Sequence, residues 1–378
     1  MFEHLRLRLA LQKKAGLYRS PPLISSRSHR YVEIGGGRFL NFASNDYLAL
    51  SSDDRVKRAL SMAIGEYGTS SSSSRLVSGH YRIMEEAEAS FAHYFGYETA
   101  LFFQSGFQAN LAIASTLAPT FERVFVDKHL HASTVCGLKM GQVGFFTYRH
   151  GELGHLRKRM ERYRPSSCVI FTESLFSMDG DVLDVEGLLG IKQAWGAACV
   201  VDEAHSFGVL GEGGRGIARR VADVALGTLG KAFGFFGAFV LMPRVVKEYL
   251  FNFSHPLIYS TALPPAHARA AVEVLERVSE VDERRRYLAD LSLYAREMLL
   301  TAGLDAGGDA HILWIRIGEE KRLLEVTCAL REEGILAFGA RYPTVPLKEA
   351  ILRISLCYFH HQKDIKRLVE ALKGILRP

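Results

Sequence analysis

Hydrophobic positions in the middle of the chain fall into short blocks separated by longer amphipathic stretches. From about residue 84, EEAEASFAHYF (85–95) and GFQANLAIASTLA (106–118) carry helical periodicity. Between and after them, ALFFQ (100–104), RVFVD (123–127), SCVIFTE (167–173), ACVVDEA (198–204) and FGAFVLM (236–242) are short and largely apolar. Such runs are expected of strands buried on both faces of a parallel sheet, and the stretches between them are long enough for helical crossovers. The pattern predicts an α/β architecture.

Both ends of the chain read differently. Residues 3–16, EHLRLRLALQKKAG, read as a surface helix ending at Gly16 and docked on the domain, being too short and too narrow in its apolar face for a membrane anchor. Residues 31–42 read as a hairpin with a glycine turn. After Pro264-Pro265, residues 266–303 are charged and helix-rich. HILWIRIG (311–318), a helix around Lys321–Glu333 and the strand-like ILRISLC (351–357) follow. The expected division is an N-terminal helix and hairpin segment (1–45), a large mostly parallel-sheet domain (46–264) and a smaller α+β domain (265–378).

Composition narrows the class. At 378 residues and 48% hydrophobic, the chain can bury a core without disulfide or metal staples. Lys and Arg exceed Asp and Glu by 47 − 41 = 6, so a nucleic-acid partner is one reading and anionic small molecules another. The basic residues are dispersed among acidic ones, as in EVDERRRYLAD (280–290), which favours solvated helix faces over a nucleic-acid surface. Cys136, Cys168, Cys199, Cys328 and Cys357 are odd in number and form no C-x-x-C pair, so buried packing thiols are expected, with no disulfide framework or zinc site. The first residues lack the apolar core of a signal peptide, and the longest apolar run, Ala232–Met242, falls well short of the ~20 residues that span a bilayer. A cytoplasmic address without membrane association is expected.

Four segments can carry chemistry. Lys231 lies among glycines in GTLGKAFGFFG (227–237), where a lysine amine serves as a Schiff-base nucleophile or simply occupies a surface turn. Asp202 ends the apolar run of VVDEAHSFG (200–208), at the strand end where open α/β sheets bind ligands. A carboxylate buried there needs a cation, and the pyridinium nitrogen of pyridoxal phosphate is one. The alternatives are an ATPase box, which lacks an upstream P-loop, and a metal site of Asp202, Glu203 and His205, which lacks a further ligand at suitable spacing. Ser105-Gly106-Phe107 opens a helix whose amides suit a phosphate, and His131 can stack on an aromatic cofactor or be merely structural. The Asp202-to-Lys231 interval is about one βαβ unit, which places both at one sheet edge.

With these residues in this order, the sequence resembles the α-oxoamine synthases, pyridoxal-phosphate enzymes of the aspartate-aminotransferase fold (fold type I). The resemblance runs from Asn41-Phe-Ala-Ser-Asn-Asp-Tyr-Leu through Ser78-Gly79-His80, Thr172–Asp181, Asp202–His205 and Gly208–Gly216. It continues through Lys231, Ile258–Pro265 and Pro343-Thr344-Val-Pro to Leu352-Arg353-Ile. It implies a catalytic set of Lys231, His131, Asp202 and His205. Lys231 would hold pyridoxal 5′-phosphate as a Schiff base, Asp202 would pair with the ring nitrogen, His205 and Ser177 would lie near the ring oxygen, and His131 would stack on the ring. Gly106, Phe107 and Thr228 would serve mainly the phosphate. Asn45 and Arg353 would hold the amino acid's carboxylate, and Arg19 and Thr344 would contact substrate. No metal is implied.

Within the family, IYSTALPP (258–265) and PTVP (343–346) favour members that condense L-alanine with a pimeloyl thioester, on CoA or acyl-carrier protein, as a step of biotin synthesis. Glycine with acetyl-CoA or succinyl-CoA, or a longer acyl donor, remains open. A homodimer is expected, because fold-type-I enzymes usually build their sites across one. Two departures bear on acyl specificity: Ser70–Ser74 and Arg75 stand where the family often has GSGGSR, and Ser174 and Ala49 replace frequent glycines.

Overall fold

The computed structural model describes residues 2–376. They form two compact units: Leu50–Phe176 with Val182–Arg285, and a smaller unit of the residues up to Ala49, Ser177–Asp181 and the chain from Arg286 onward.

The larger unit is built on a seven-stranded sheet. Its strands, in spatial order, are Thr99–Phe103, Ala238–Met242, Val224–Thr228, Ala198–Asp202, Cys168–Glu173, Arg123–Asp127 and Phe146–Tyr148. The last five pair in parallel, while Ala238–Met242 runs antiparallel to both neighbours. Thr99–Phe103, Cys168–Glu173 and Ala238–Met242 are buried at every position, which is why they read as largely apolar runs. Phe91, Phe95, Phe207, Phe233 and Phe239 form one cluster of rings with centroids 4.5–6.5 Å apart.

The helices Gly106–Leu117 and Ala132–Met140 pack closely through Gly137, where an added Cβ would lie 2.8 Å from Ala114 Cβ and 3.0 Å from the Asn110 carbonyl. That close approach brings Asn110 beside Ser133.

Several expectations are corrected. The domain boundary does not fall at Pro264-Pro265. Helix Pro265–Glu280 buries Ala266, Ala268, Ala270, Ala271, Val274 and Val278 within the larger unit and packs on helices Asp54–Tyr67 and Arg82–Phe95. Arg277 pairs with Asp53 at 3.0 Å and Arg55 with Glu273 at 2.7 Å across this packing. The change of texture marks the start of a helix, and the residues up to Ala49 join the chain's C-terminal part in one unit. The connection from Asp202 to Val224 contains no α-helix. Gly208, Gly211, Gly213, Gly214 and Gly216 all have positive φ there, which breaks helical continuation. The strands Phe146–Tyr148 and Val224–Thr228 were not foreseen, being short or glycine-interrupted. Cys168, Cys199 and Cys357 are buried as expected, but Cys136 and Cys328 are exposed on helices.

The smaller unit holds two four-stranded sheets. One joins Ile24–Ser28, Tyr31–Ile34, Gly37–Asn41 and Ile335–Leu336, with the expected glycine turn at Gly35-Gly36 (φ 57° and 81°). The other orders Ala306–Gly307, Ile312–Gly318, Ala350–Ser355 and Phe338–Ala340 antiparallel. The first helix, Glu3–Lys14, forms but buries none of its residues, contrary to the expected docking. Its leucines, at 5, 7, 9 and 11, step by two and are spread around the helix, and all four are exposed. Among the described residues, no helix is long and apolar enough to cross a membrane.

Candidate active site

In the larger unit the site gathers at the carboxyl ends of parallel strands. Ala198–Asp202 delivers Asp202, which is 9% exposed. Asn110 Nδ2 donates to Asp202 Oδ2 at 2.8 Å, and the Ala204 amide donates to Oδ1 at 2.9 Å. Among the described residues, no lysine or arginine forms an ion pair with Asp202. Three residues further on, His205 is buried, and its Nε2 lies 2.7 Å from Lys231 Nζ. Lys231 follows the adjacent strand Val224–Thr228 after a short turn. At that strand's end, Thr228 Oγ1 donates to the Gly237 carbonyl at 3.1 Å and accepts the Gly230 amide at 3.2 Å.

Helix Gly106–Leu117 starts beneath this edge. Ser105 caps it, its Oγ accepting the Gln108 amide at 3.2 Å, so that Gly106 and Phe107 contribute backbone N–H groups free of intrahelical partners. Phe107 is half exposed. His131 caps the neighbouring helix: its Nδ1 lies 2.7 Å from Ser133 Oγ and accepts the Ser133 amide at 3.3 Å. The His131 pKa is held below its ordinary value, chiefly by desolvation. Asp202 raises it and Lys231 lowers it, so all three residues share one electrostatic neighbourhood.

Glu203, next to Asp202, is fully buried. It accepts the Ile217 amide at 2.9 Å and the Ala218 amide at 3.1 Å, tying the glycine-rich connection to the strand end. Burial pushes its pKa up to about 7 against the opposing pull of those amides and Ser174, with Asp202 adding to the rise. The Ser174 hydroxyl also meets that of Ser206 at 2.5 Å, so the serine at this frequent glycine position belongs to a buried polar network.

In the smaller unit, Arg353 is the centre. It lies on Ala350–Ser355 and is 4% exposed. Its Nε donates to the Ser177 carbonyl at 2.6 Å and its Nη1 to Asn45 Oδ1 at 3.3 Å. Nη1 also reaches Ser355 Oγ, and Nη2 the Tyr47 hydroxyl at 3.5 Å. Tyr47 in turn donates to Asn45 Oδ1 at 3.0 Å, and burial raises its pKa while Arg353 opposes. Among the described residues, no carboxylate pairs with Arg353. A buried guanidinium without a counter-ion is a receptor for one.

The expected residues therefore fall into three groups. Gly106, Phe107, His131, Asp202, His205, Thr228 and Lys231 come together in the larger unit. Asn45, Ser177 and Arg353 come together in the smaller one, where it is the carbonyl of Ser177 that is engaged. Arg19 and Thr344 are exposed elsewhere in that unit. Sequence reasoning missed Asn110, Ser133, Tyr47 and Ser355. The signal for Asn110 was present: it is an amide on the buried side of an otherwise Ala-, Leu- and Ile-rich helix.

Residues 38–372 match the family model of aminotransferase class I and II. 8-Amino-7-oxononanoate synthase of Chlorobaculum parvum is 36% identical over 354 residues, covering 90% of each chain. The crystal structure of 8-amino-7-oxononanoate synthase from Francisella tularensis superposes with a TM-score of 0.76 at 32% identity, over 89% of this chain and 97% of that one. Serine palmitoyltransferase from S. paucimobilis, with a bound PLP–myriocin aldimine, gives a TM-score of 0.90 at 26% identity, over 99% of this chain and 97% of that one. The chain belongs to the aminotransferase class I and II family. It is a pyridoxal-phosphate-dependent C-acyltransferase of the fold-type-I, α-oxoamine synthase kind, similar to 8-amino-7-oxononanoate synthase over most of its length. The residues present fit the cofactor. Asp202 is a buried carboxylate with no ion-paired lysine or arginine among the described residues, as a pyridinium partner requires, and a capped helix start offers amides for a phosphate.

Proposed function

We propose that the protein condenses L-alanine with a pimeloyl thioester, carried on CoA or acyl-carrier protein, to give 8-amino-7-oxononanoate, CO2 and free thiol in biotin biosynthesis. The observation that carries the chemistry is Asp202, buried without an ion-paired cation among the described residues, on the strand beside the one leading to Lys231, whose amine meets His205. The named relatives and the PTVP and IYSTALPP blocks support the choice of substrates.

When bound, pyridoxal phosphate supplies an electron sink for charge at the amino acid's Cα. Lys231 Nζ would hold the cofactor, and its free amine would take the Cα proton. Asp202 would keep a proton at the ring nitrogen, and Asn110 and the Ala204 amide hold its carboxylate in place for this. His205 and Ser177 would serve the ring oxygen, His131 would face the ring, and Gly106, Phe107 and Thr228 would serve the phosphate. Arg353 and Asn45 hold the alanine carboxylate until it departs as CO2, and Arg19 and Thr344 contact the acyl donor. The new bond joins Cα to the thioester carbonyl carbon as the C–S bond breaks and the thiolate leaves, taking a proton from solvent. Departure of CO2 leaves its electron pair at Cα, which takes back a proton from Lys231 Nζ. The working form is a cytoplasmic homodimer.

The test crosses L-alanine, glycine and L-serine with pimeloyl-, acetyl-, succinyl- and palmitoyl-CoA, with products identified by mass spectrometry. Alanine with pimeloyl-CoA should give the highest turnover, and Lys231→Ala should lower it at least about a thousandfold. A better rate with serine and palmitoyl-CoA would replace this reading with the one favoured by the 0.90 TM-score to serine palmitoyltransferase.

A further inference from the structure

Arg341 stands in the smaller unit as a further cation. It opens the turn that carries Thr344, whose amide donates to the Arg341 carbonyl at 2.9 Å. Its side chain reaches to the N-terminal segment of the same unit, where Nη2 donates to the carbonyl of Tyr18, the residue before Arg19. One guanidinium thus ties the segment bearing Arg19 to the turn bearing Thr344. Lys13 Nζ stands 4.8 Å from the centroid of the Tyr18 ring, which adds a third cation.

Among the described residues, no carboxylate forms an ion pair with Lys13, Arg19 or Arg341. The Nε of Arg341 is shielded from solvent and has no hydrogen-bond partner. Desolvation, and then the charge of Arg19, hold the Arg341 pKa below its ordinary value. Like charges held together, with a buried donor left open, cost free energy unless an anion is taken up. A planar guanidinium suits carboxylate and phosphate oxygens alike.

We infer that Arg341, with Arg19 and Thr344, binds the free carboxylate at the far end of the acyl chain and selects a dicarboxylic acyl donor. This rests on the proposed pimeloyl reading and adds the residue that enforces it. The phosphates of a CoA carrier are the other source of the same chemistry, and the carrier is varied to separate the two.

The experiment measures kcat/KM for the holoenzyme and for Arg341→Gln, Arg341→Ala and Arg341→Lys. The acyl donors are pimeloyl-CoA, heptanoyl-CoA, which lacks the distal carboxylate, and the N-acetylcysteamine thioesters of both acids, which lack phosphate. The visible spectrum of the bound cofactor and the melting temperature check folding, and Arg341→Gln retains a donor for the Tyr18 carbonyl. The pimeloyl-over-heptanoyl preference should fall about tenfold or more in Arg341→Gln and Arg341→Ala, on both carriers, with partial recovery in Arg341→Lys. An unchanged preference overturns the inference. A loss equal for both acyl chains and confined to the CoA thioesters also overturns it, because it assigns Arg341 to the carrier's phosphates. A wild-type enzyme inactive with every pimeloyl thioester fails the underlying reading instead, and that result is distinct from either.

Discussion

Asn110 donates its side-chain amide to Asp202 Oδ2 at 2.8 Å, joining residues 92 apart in sequence. The same amide donates to Ser133 Oγ at 3.0 Å, and Ser133 meets His131. The orientation of the strand-end carboxylate is therefore set from two neighbouring helices. Asn110→Ala should lower kcat/KM by about ten- to a hundredfold, the value of a hydrogen bond to a charged group at a reacting site. Asp202→Asn should lower it further. Steady-state kinetics on the cofactor-saturated variants check both, and an Asn110→Ala enzyme with wild-type kcat/KM would remove Asn110 from the site.

Arg353 predicts an effect on amino acid binding. It is buried and held by Ser177, Asn45, Tyr47 and Ser355, with no carboxylate partner among the described residues. Arg353→Lys keeps the charge and loses the planar fork, so KM for L-alanine should rise about tenfold or more. KM for the acyl donor should change little, and a rise confined to the acyl donor would contradict the assignment.

Glu203 predicts a pH dependence of stability. Burial raises its folded pKa to about 7 from the ordinary 4.5 of a glutamate. Between these values the folded state holds a proton that the unfolded state has lost. Stability from this group is therefore full below pH 4.5 and declines as pH rises to about 7, by about 3 kcal/mol at most. Glu203→Gln should remove that decline, whatever its own cost from the Ile217 and Ala218 amides. Denaturant melts from pH 4.5 to 8 on both proteins check it. Parallel stability curves would show that Glu203 does not titrate in this range.

Much of the larger unit could be read directly because its strands are buried on both faces, so that burial leaves a largely apolar run in the sequence. RVFVD is a strand at the residues expected, Arg123–Asp127. Asp202, Lys231 and the Ser105-Gly106 turn stood out because each breaks its local pattern: an acid ending an apolar run, a lysine among glycines, a serine and glycine opening a helix. The short edge strand Phe146–Tyr148 and the glycine-interrupted Val224–Thr228 lacked such a run.

The sequence by itself determined the α/β class, the order of the chemistry-bearing residues and the family. The tertiary structure alone decided which of them share a neighbourhood. Hydrogen bonds such as Asn110–Asp202 and Arg353–Asn45, which is 308 residues long in sequence, depend on helix crossings and sheet register that no local pattern encodes. The same holds for the domain boundary, which the packing of helix Pro265–Glu280 moved past its prolines, and for Arg341, whose significance appears only when Tyr18 and Thr344 meet it.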